Sequence, residues 1–116
     1  LFIYQGISKG FSLIYDRTYN EINVLTVNKT LIPIQSYVSV PVGCHTWFTM
    51  KLVVDPVKGK YVRARFNDKT LDLSSYNCYS ETSTEADSLY VNFVLGSSIA
   101  QATTNYLGYA IITQNE

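Results

Sequence analysis

Residues 47–73, WFTMKLVVDPVKGKYVRARFNDKTLDL, decide the fold class of this chain. Two runs rich in β-branched and aromatic residues flank Asp55-Pro56-Val57-Lys58-Gly59, a turn in which proline presets φ and glycine supplies a positive φ. A second polar turn, Asn67-Asp68-Lys69, precedes a short apolar run. The stretch therefore predicts an antiparallel meander of three strands.

Alternation along these strands assigns the side chains to two faces, because successive residues of a strand point to opposite sides of the sheet. We expect Trp47 to anchor the start of the first strand in the core. The inward face is predicted to hold the apolar residues Phe48, Met50, Leu52, Val54, Val62, Ala64 and Phe66. The outward face then carries the polar residues and one tyrosine, namely Lys51, Tyr61, Arg63 and Arg65.

Strand-like runs continue outside the meander at residues 11–15, 22–27, 31–34, 88–95 and 106–113. The runs 22–27 and 31–34 predict a hairpin whose second strand lies at a sheet edge, since Pro33 cannot donate to a ladder. In 88–95 we expect Leu89, Val91, Phe93 and Leu95 to face inward, and residues 74–87 to form a polar loop. No helical periodicity occurs, so the sequence predicts one all-β domain over residues 1–116, a sandwich or barrel.

Composition narrows the function classes. Nine basic and nine acidic residues give a formal net charge of zero, which argues against a nucleic-acid partner and gives little charge protection against self-association. No apolar run approaches the roughly 18 residues that span a bilayer. The chain opens on Leu1 inside a strand-like segment, which favours a piece of a longer protein. A boundary chosen for expression or an untraced start, and a proteolytic fragment, are equally open explanations of this beginning.

The order of residues from Trp47 to Leu73, followed by a polar loop, SLYVNFVL and YAIIT, resembles the C-terminal half of concanavalin-like, laminin-G-like jelly-roll domains, including bacterial members of unknown function. Asn67-Asp68 stands where those domains carry Asn-Gly, and Gly108 replaces the aspartate of their closing strand. The resemblance implies an antiparallel jelly-roll β-sandwich. Such domains commonly run longer than this chain, so the resemblance also implies that N-terminal strands are either missing or supplied elsewhere.

Catalytic residues are not predicted. Catalytic concanavalin-like domains carry Glu-x-Asp-x-Glu on a strand, and none of the four glutamates here has a second carboxylate at that spacing. The single histidine, His45, is interpreted as a loop residue. We predict no cofactor and no metal site; structural calcium bound by the oxygen-rich residues 81–87 is the less favoured alternative. Cys44 and Cys78 form either two free thiols, the favoured reading, or one disulfide.

Binding is the leading functional hypothesis. Sugar sites combine aromatic faces with a few polar groups, and ten tyrosines are present. If the central strands are neighbours, one sheet face presents a basic and aromatic set: Lys51, Tyr61, Arg63, Arg65, Tyr90 and Asn92. The alternative is that these residues only cover an exposed sheet.

Three functions follow in order of preference. The first is a non-catalytic binding module with carbohydrate as the expected ligand. The second is an interaction domain that forms a homodimer, or pairs with another segment of the parent protein, through an exposed sheet face or edge. The third is a remnant of a glycoside hydrolase whose catalytic strand is absent from these residues.

Overall fold

The computed structural model describes residues 1–38, 47–94 and 110–113, and all regular structure within these ranges is β. The described residues include no helix that could cross a membrane. The prediction of an all-β chain is confirmed for this part. The strands are β1 (Phe2–Tyr4), β2 (Ile7–Gly10), β3 (Leu13–Asp16), β4 (Glu21–Leu25), β5 (Leu31–Gln35), β6 (Met50–Asp55), β7 (Lys60–Phe66), β8 (Lys69–Asp72), β9 (Tyr79–Thr82) and β10 (Ser88–Leu89).

These strands form three antiparallel sheets. The first meander has the order β3-β4-β5, the second meander has the order β6-β7-β8, and the closing sheet has the order β10-β1-β2-β9. The second meander is the one predicted from residues 47–73. The predicted hairpin is also confirmed, because β4 pairs with β5, and Pro33 lies in the edge strand β5.

The turn between β6 and β7 forms for the predicted reasons. The Asp55 carboxylate Oδ1 accepts a hydrogen bond from the Lys58 N–H at 2.9 Å. Gly59 has a φ of +69°, and a Cβ at this position would lie 3.3 Å from the Cys78 Sγ. Any other residue would therefore meet both backbone strain and a close neighbour. The second turn is tighter than predicted, since only residues 67 and 68 separate β7 from β8.

A β-bulge in β7 changes the face on which one residue lies. Val53 pairs with Arg63 and Val54 pairs with Tyr61, so Val62 is an extra residue in the ladder. Because an extra residue shifts the alternation by one position, Tyr61 joins the inward face. Its side chain is only 1% exposed, and the prediction that Tyr61 points outward is wrong.

Tyr61 is central to the packing of the two meanders against each other. Its hydroxyl donates to the Leu25 carbonyl at 2.7 Å and accepts from the Ser12 N–H at 2.9 Å. Its ring meets Phe11 edge-on, with the ring centroids 5.3 Å apart. The buried cluster around it comprises Val24, Tyr61, Ala64, Leu73 and Cys78. Leu13 and Ile34 of the first meander and Leu52, Val54 and Leu71 of the second pack against this cluster.

A second contact between the meanders consists of three aromatic rings. Phe66 lies 5.5 Å from both Tyr15 and Phe48, measured between centroids. Phe48 and Met50 are inward residues at the rim of the core, with exposed fractions of 41% and 36%. Trp47 is 66% exposed, so the prediction that it anchors the core is wrong. It precedes β6 and lies outside the paired strands.

The closing sheet joins residues that are far apart in sequence. Phe2 of β1 pairs with Leu89 of β10, and the Leu1 carbonyl accepts from the Tyr90 N–H at 2.9 Å. The sheet meets the second meander through Lys9, whose Nζ donates to the carbonyls of Pro56 and Val57 at 2.9 and 2.5 Å. An ammonium group held by two carbonyls fixes the closing sheet against the β6–β7 turn.

Two expectations for the C-terminal half are corrected. Residues 74–87 are not only loop, because they contain β9; its YSET sequence lacks an apolar period, and backbone pairing with β2 defines it instead. The strand predicted over 88–95 is β10 alone, and Leu89, Val91 and Phe93 are 61%, 43% and 53% exposed. Leu95 and residues 106–109 lie outside the described part, and residues 110–113 form no strand.

Replacing Tyr61 with phenylalanine tests the role of its hydroxyl. The Y61F substitution keeps the ring but leaves the Ser12 N–H and the Leu25 carbonyl without this partner. We expect it to lower the free energy of unfolding by about 1–3 kcal/mol, measured by urea denaturation. Tyr37, which is 96% exposed, provides the matched control, and Y37F should leave the urea midpoint unchanged. Equal effects of the two substitutions would contradict this role.

Candidate functional site

The outward face of the second meander gathers polar side chains in two rows. The register places Lys51 opposite Arg65 and Arg65 opposite Thr70, and in the next row Arg63 lies opposite Asp72. Residues directly opposite each other in antiparallel strands project to the same side. All five are exposed. We call this set the cationic face: Lys51, Arg63, Arg65, Thr70 and Asp72.

Arg65 is held in place by the hairpin that follows it. Its Nε donates to the Asn67 carbonyl at 2.8 Å. Asn67 has a φ of +53°, a conformation that asparagine tolerates better than most residues. Its side-chain Oδ1 accepts from the Thr49 N–H at 3.0 Å, and its own N–H donates to the Thr49 carbonyl at 2.9 Å. One turn residue therefore fixes both the guanidinium and the beginning of β6.

Asp72 stays ionised on this face. The Ser74 N–H donates to its Oδ1 at 2.9 Å, and this hydrogen bond holds the pKa of the Asp72 carboxyl below its ordinary value. Arg63 lies directly opposite in the register. The row therefore combines a guanidinium donor with a carboxylate acceptor, which is a combination that can recognise hydroxyl groups.

The structure brings together three of the six predicted binding residues. Lys51, Arg63 and Arg65 share the cationic face, whereas Tyr61 lies on the opposite face and is buried. Tyr90 exchanges two backbone hydrogen bonds with Leu1 beside the closing sheet. Tyr90 and Asn92 both lie beyond β10 and outside any strand, so the strand face on which the prediction placed them does not form.

Thr70 and Asp72 were not predicted as members of the site. A turn of three residues, Asn67, Asp68 and Lys69, is the one predicted from the sequence, and a loop of that length does not give this register. A two-residue hairpin places residue 65 opposite residue 70, as the structure shows. A correct prediction of the turn length would therefore have placed Thr70 and Asp72 on this face.

Charge is unevenly distributed along this neutral chain. Residues 47–73 contain six of the nine basic residues but only three of the nine acidic ones. The remaining residues carry the opposite imbalance. A segment with an excess of positive charge attracts anionic groups even when the net charge of the whole protein is zero.

A second polar cluster links the first meander to the closing sheet. Lys29, in the β4–β5 turn, places its Nζ 3.4 Å from the Glu81 Oε2 and 4.5 Å from the centroid of the Tyr79 ring. The Tyr79 hydroxyl donates to the same Glu81 carboxylate. The hydrogen bonds from Tyr79 and Lys29 lower the pKa of Glu81, and those to Tyr79 and Glu81 raise the pKa of Lys29.

The residues considered for calcium have protein partners. Glu81 contacts Lys29, and the Asp87 Oδ1 accepts from the Gln5 N–H at 2.8 Å. The Ser83 hydroxyl oxygen accepts from the Glu85 N–H at 3.2 Å. Across the part of the chain that the structure describes, no three acidic, cysteine or histidine side chains are grouped to hold a metal ion.

The two cysteines are not both described. Cys78 is a buried free thiol beside Gly59, and burial raises its pKa. Low reactivity is expected of such a thiol in the native state. Cys44 and His45 lie outside the described residues.

No known protein family model, curated protein or solved structure matches this chain. The resemblance to concanavalin-like domains is carried only by the residues quoted for it above. The cationic face is therefore the candidate functional site. It presents guanidinium, ammonium, hydroxyl and carboxylate groups on one exposed side of a sheet.

The Lys29–Glu81 cluster predicts that the wild type and E81Q differ in how much stability they lose at acid pH. Because the folded-state pKa of Glu81 lies below its ordinary value of 4.5, its contribution to stability is present above that pH and is lost as the pH falls through the folded-state pKa. E81Q should therefore lose less stability than the wild type between neutral pH and about pH 3. Urea midpoints measured across this range test it, with E85Q as the charge-matched control. A wild-type-like acid profile for E81Q would contradict the prediction.

Proposed function

We propose that this chain is a non-catalytic binding module whose cationic face binds an acidic carbohydrate. The observation that supports this proposal is the register of β6, β7 and β8, which aligns Lys51, Arg63 and Arg65 on one exposed sheet face. Because Tyr61 is buried, the aromatic ring predicted for this face is absent from it. Recognition then depends on charge and hydrogen bonding.

The chemistry of this face suits carboxylate groups on a sugar chain. A guanidinium group presents a planar fork of donors that matches a carboxylate, and two such groups stand on neighbouring outward positions of β7. Their Cα atoms are about 7 Å apart along the strand. Thr70 and Asp72 can donate to and accept from sugar hydroxyls. An exposed strand face of this kind presents its polar groups in a line, which suits an extended polymer.

The fold we propose for the module is an antiparallel jelly-roll β-sandwich of the concanavalin-like type. Two observations support it: the two meanders pack face to face around Tyr61, and β10 returns to pair with β1. A late strand that returns beside an early one is the connection that Greek keys use. An experimental structure tests the proposal through its strand order, and an unbroken succession of hairpins without crossings between sheets would contradict it.

Calorimetric titration with an oligogalacturonate and with a neutral maltooligosaccharide of the same length tests the function. We expect the acidic oligosaccharide to bind and its affinity to fall as salt rises, because exposed ion pairs are screened. The double substitution R63A/R65A should weaken binding by about tenfold or more, since each charged hydrogen bond contributes roughly 1.5–3 kcal/mol.

The control for this experiment is K69A, which removes a positive charge from β8 of the same sheet but not from the cationic face. It should leave the affinity within about twofold, as expected for an exposed charge outside the contact. Equal binding of the neutral oligosaccharide, or an equal loss with K69A, would contradict the assignment of the face.

A further inference from the structure

The six edge strands of the three sheets differ in how open they are. Among the described residues, β6 is the longest edge strand with six residues, and its outer side pairs with no other strand. β5 has five residues but carries Pro33, and the other edge strands have four or fewer. A long edge without proline presents unpaired N–H and C=O groups that can add another strand.

The ladder with β7 shows which groups of β6 point outward. The Thr49 carbonyl accepts from the Asn67 N–H at 2.9 Å, so Thr49 belongs to a hydrogen-bonded pair. Because these pairs alternate with non-bonded ones, Lys51 and Val53 also direct their backbone groups toward β7. The N–H and C=O groups of Leu52 and Val54 therefore point away from the sheet.

We propose that two copies of this chain pair through the outer edge of β6. The strands run antiparallel around a two-fold axis at Val53, so that Leu52 bonds with Val54 of the other copy. In this register Lys51 of each copy lies opposite Asp55 of the other copy. The pair forms one continuous sheet of six strands, and the two cationic faces lie side by side.

Charge selects this register over its neighbours. Lys51, Val53 and Asp55 lie on the same side of the strand, since they alternate along it. A two-fold axis at Leu52 would instead place Lys51 opposite Val53, and registers shifted by one residue would not match the outward backbone groups. The two-fold axis at Val53 thus forms two Lys51–Asp55 pairs across the contact, and opposite charges on directly opposed residues stabilise antiparallel strands.

Asp55 retains the capacity to take part in this contact. Its Oδ1 accepts from the Lys58 N–H, and its Oδ2 lies 3.5 Å from the Lys58 Nζ. An ionised carboxylate has about four acceptor sites, so a further cation can approach it. The backbone hydrogen bond from Lys58 lowers the pKa of Asp55, which keeps it charged at neutral pH.

The contact is small, so the association is expected to be weak. Pairing joins four or five residues on each side, far below the area of a standard interface, and we expect a dissociation constant of about 10–500 µM. This proposal does not depend on carbohydrate binding. R63A/R65A removes the proposed ligand contacts and leaves the edge of β6 intact, so the failure of either proposal leaves the other standing.

Sedimentation velocity of the 116-residue chain from about 10 µM to 1 mM tests the dimer. K51E and D55K should each weaken association by about tenfold or more, because like charges then face each other at both symmetric positions. An equimolar mixture of K51E and D55K should restore association, since both positions of the heterodimer then hold opposite charges. Rescue on mixing is specific to this register.

Two further variants separate pairing from folding. V53K places two lysines together at the two-fold axis without touching the Asp55 turn, and it should abolish the dimer, whereas V53T should retain it. K69E makes the same charge reversal on β8, at the far edge of the sheet, and should leave association unchanged. A monomer at 1 mM, or a dimer that K51E and V53K do not weaken, would overturn the proposal.

Discussion

The β-bulge at Val62 is the constraint on which the rest of this structure depends. Without the extra residue, strict alternation would place Tyr61 on the outer face and leave the centre of the core without its largest side chain. The bulge brings the ring inward, where its hydroxyl reaches backbone groups of Ser12 and Leu25. A buried tyrosine requires such partners, because an unsatisfied hydroxyl in an apolar core is costly. One inserted residue thus joins the two meanders.

Charged side chains hold the closing sheet to the two meanders. Lys9 donates to two carbonyls of the β6–β7 turn, and Lys29 contacts Glu81 and the ring of Tyr79. Both lysines therefore act between sheets. The positive charges of the cationic face lie instead on one side of a single sheet, the second meander.

The second meander and the β4–β5 hairpin could be predicted from sequence because their strands are joined by turns with recognisable chemistry. Pro56 and Gly59 identify one turn, and Pro33 within the run 31–34 identifies an edge strand. The inward position of Tyr61 could not be predicted, because nothing in the residue types of β7 indicates that Val62 forms a bulge. The strand β9 was missed because its mostly polar side chains carry no apolar period and long-range pairing defines it. Local turns can thus be predicted from the sequence, whereas pairing between distant segments cannot.

The closing sheet has a consequence for the order of assembly. Each meander needs only short loops to bring its strands together, whereas β1 cannot meet β10 until the chain has been made as far as residue 89. Closing a longer loop costs more conformational entropy, and nothing within the sheet offsets that cost until the two ends meet. During synthesis the hairpin of β1 and β2 therefore emerges before strands β3 to β10 but waits longest for its partners. It is a two-stranded ribbon in that interval, which is marginally stable in water on its own.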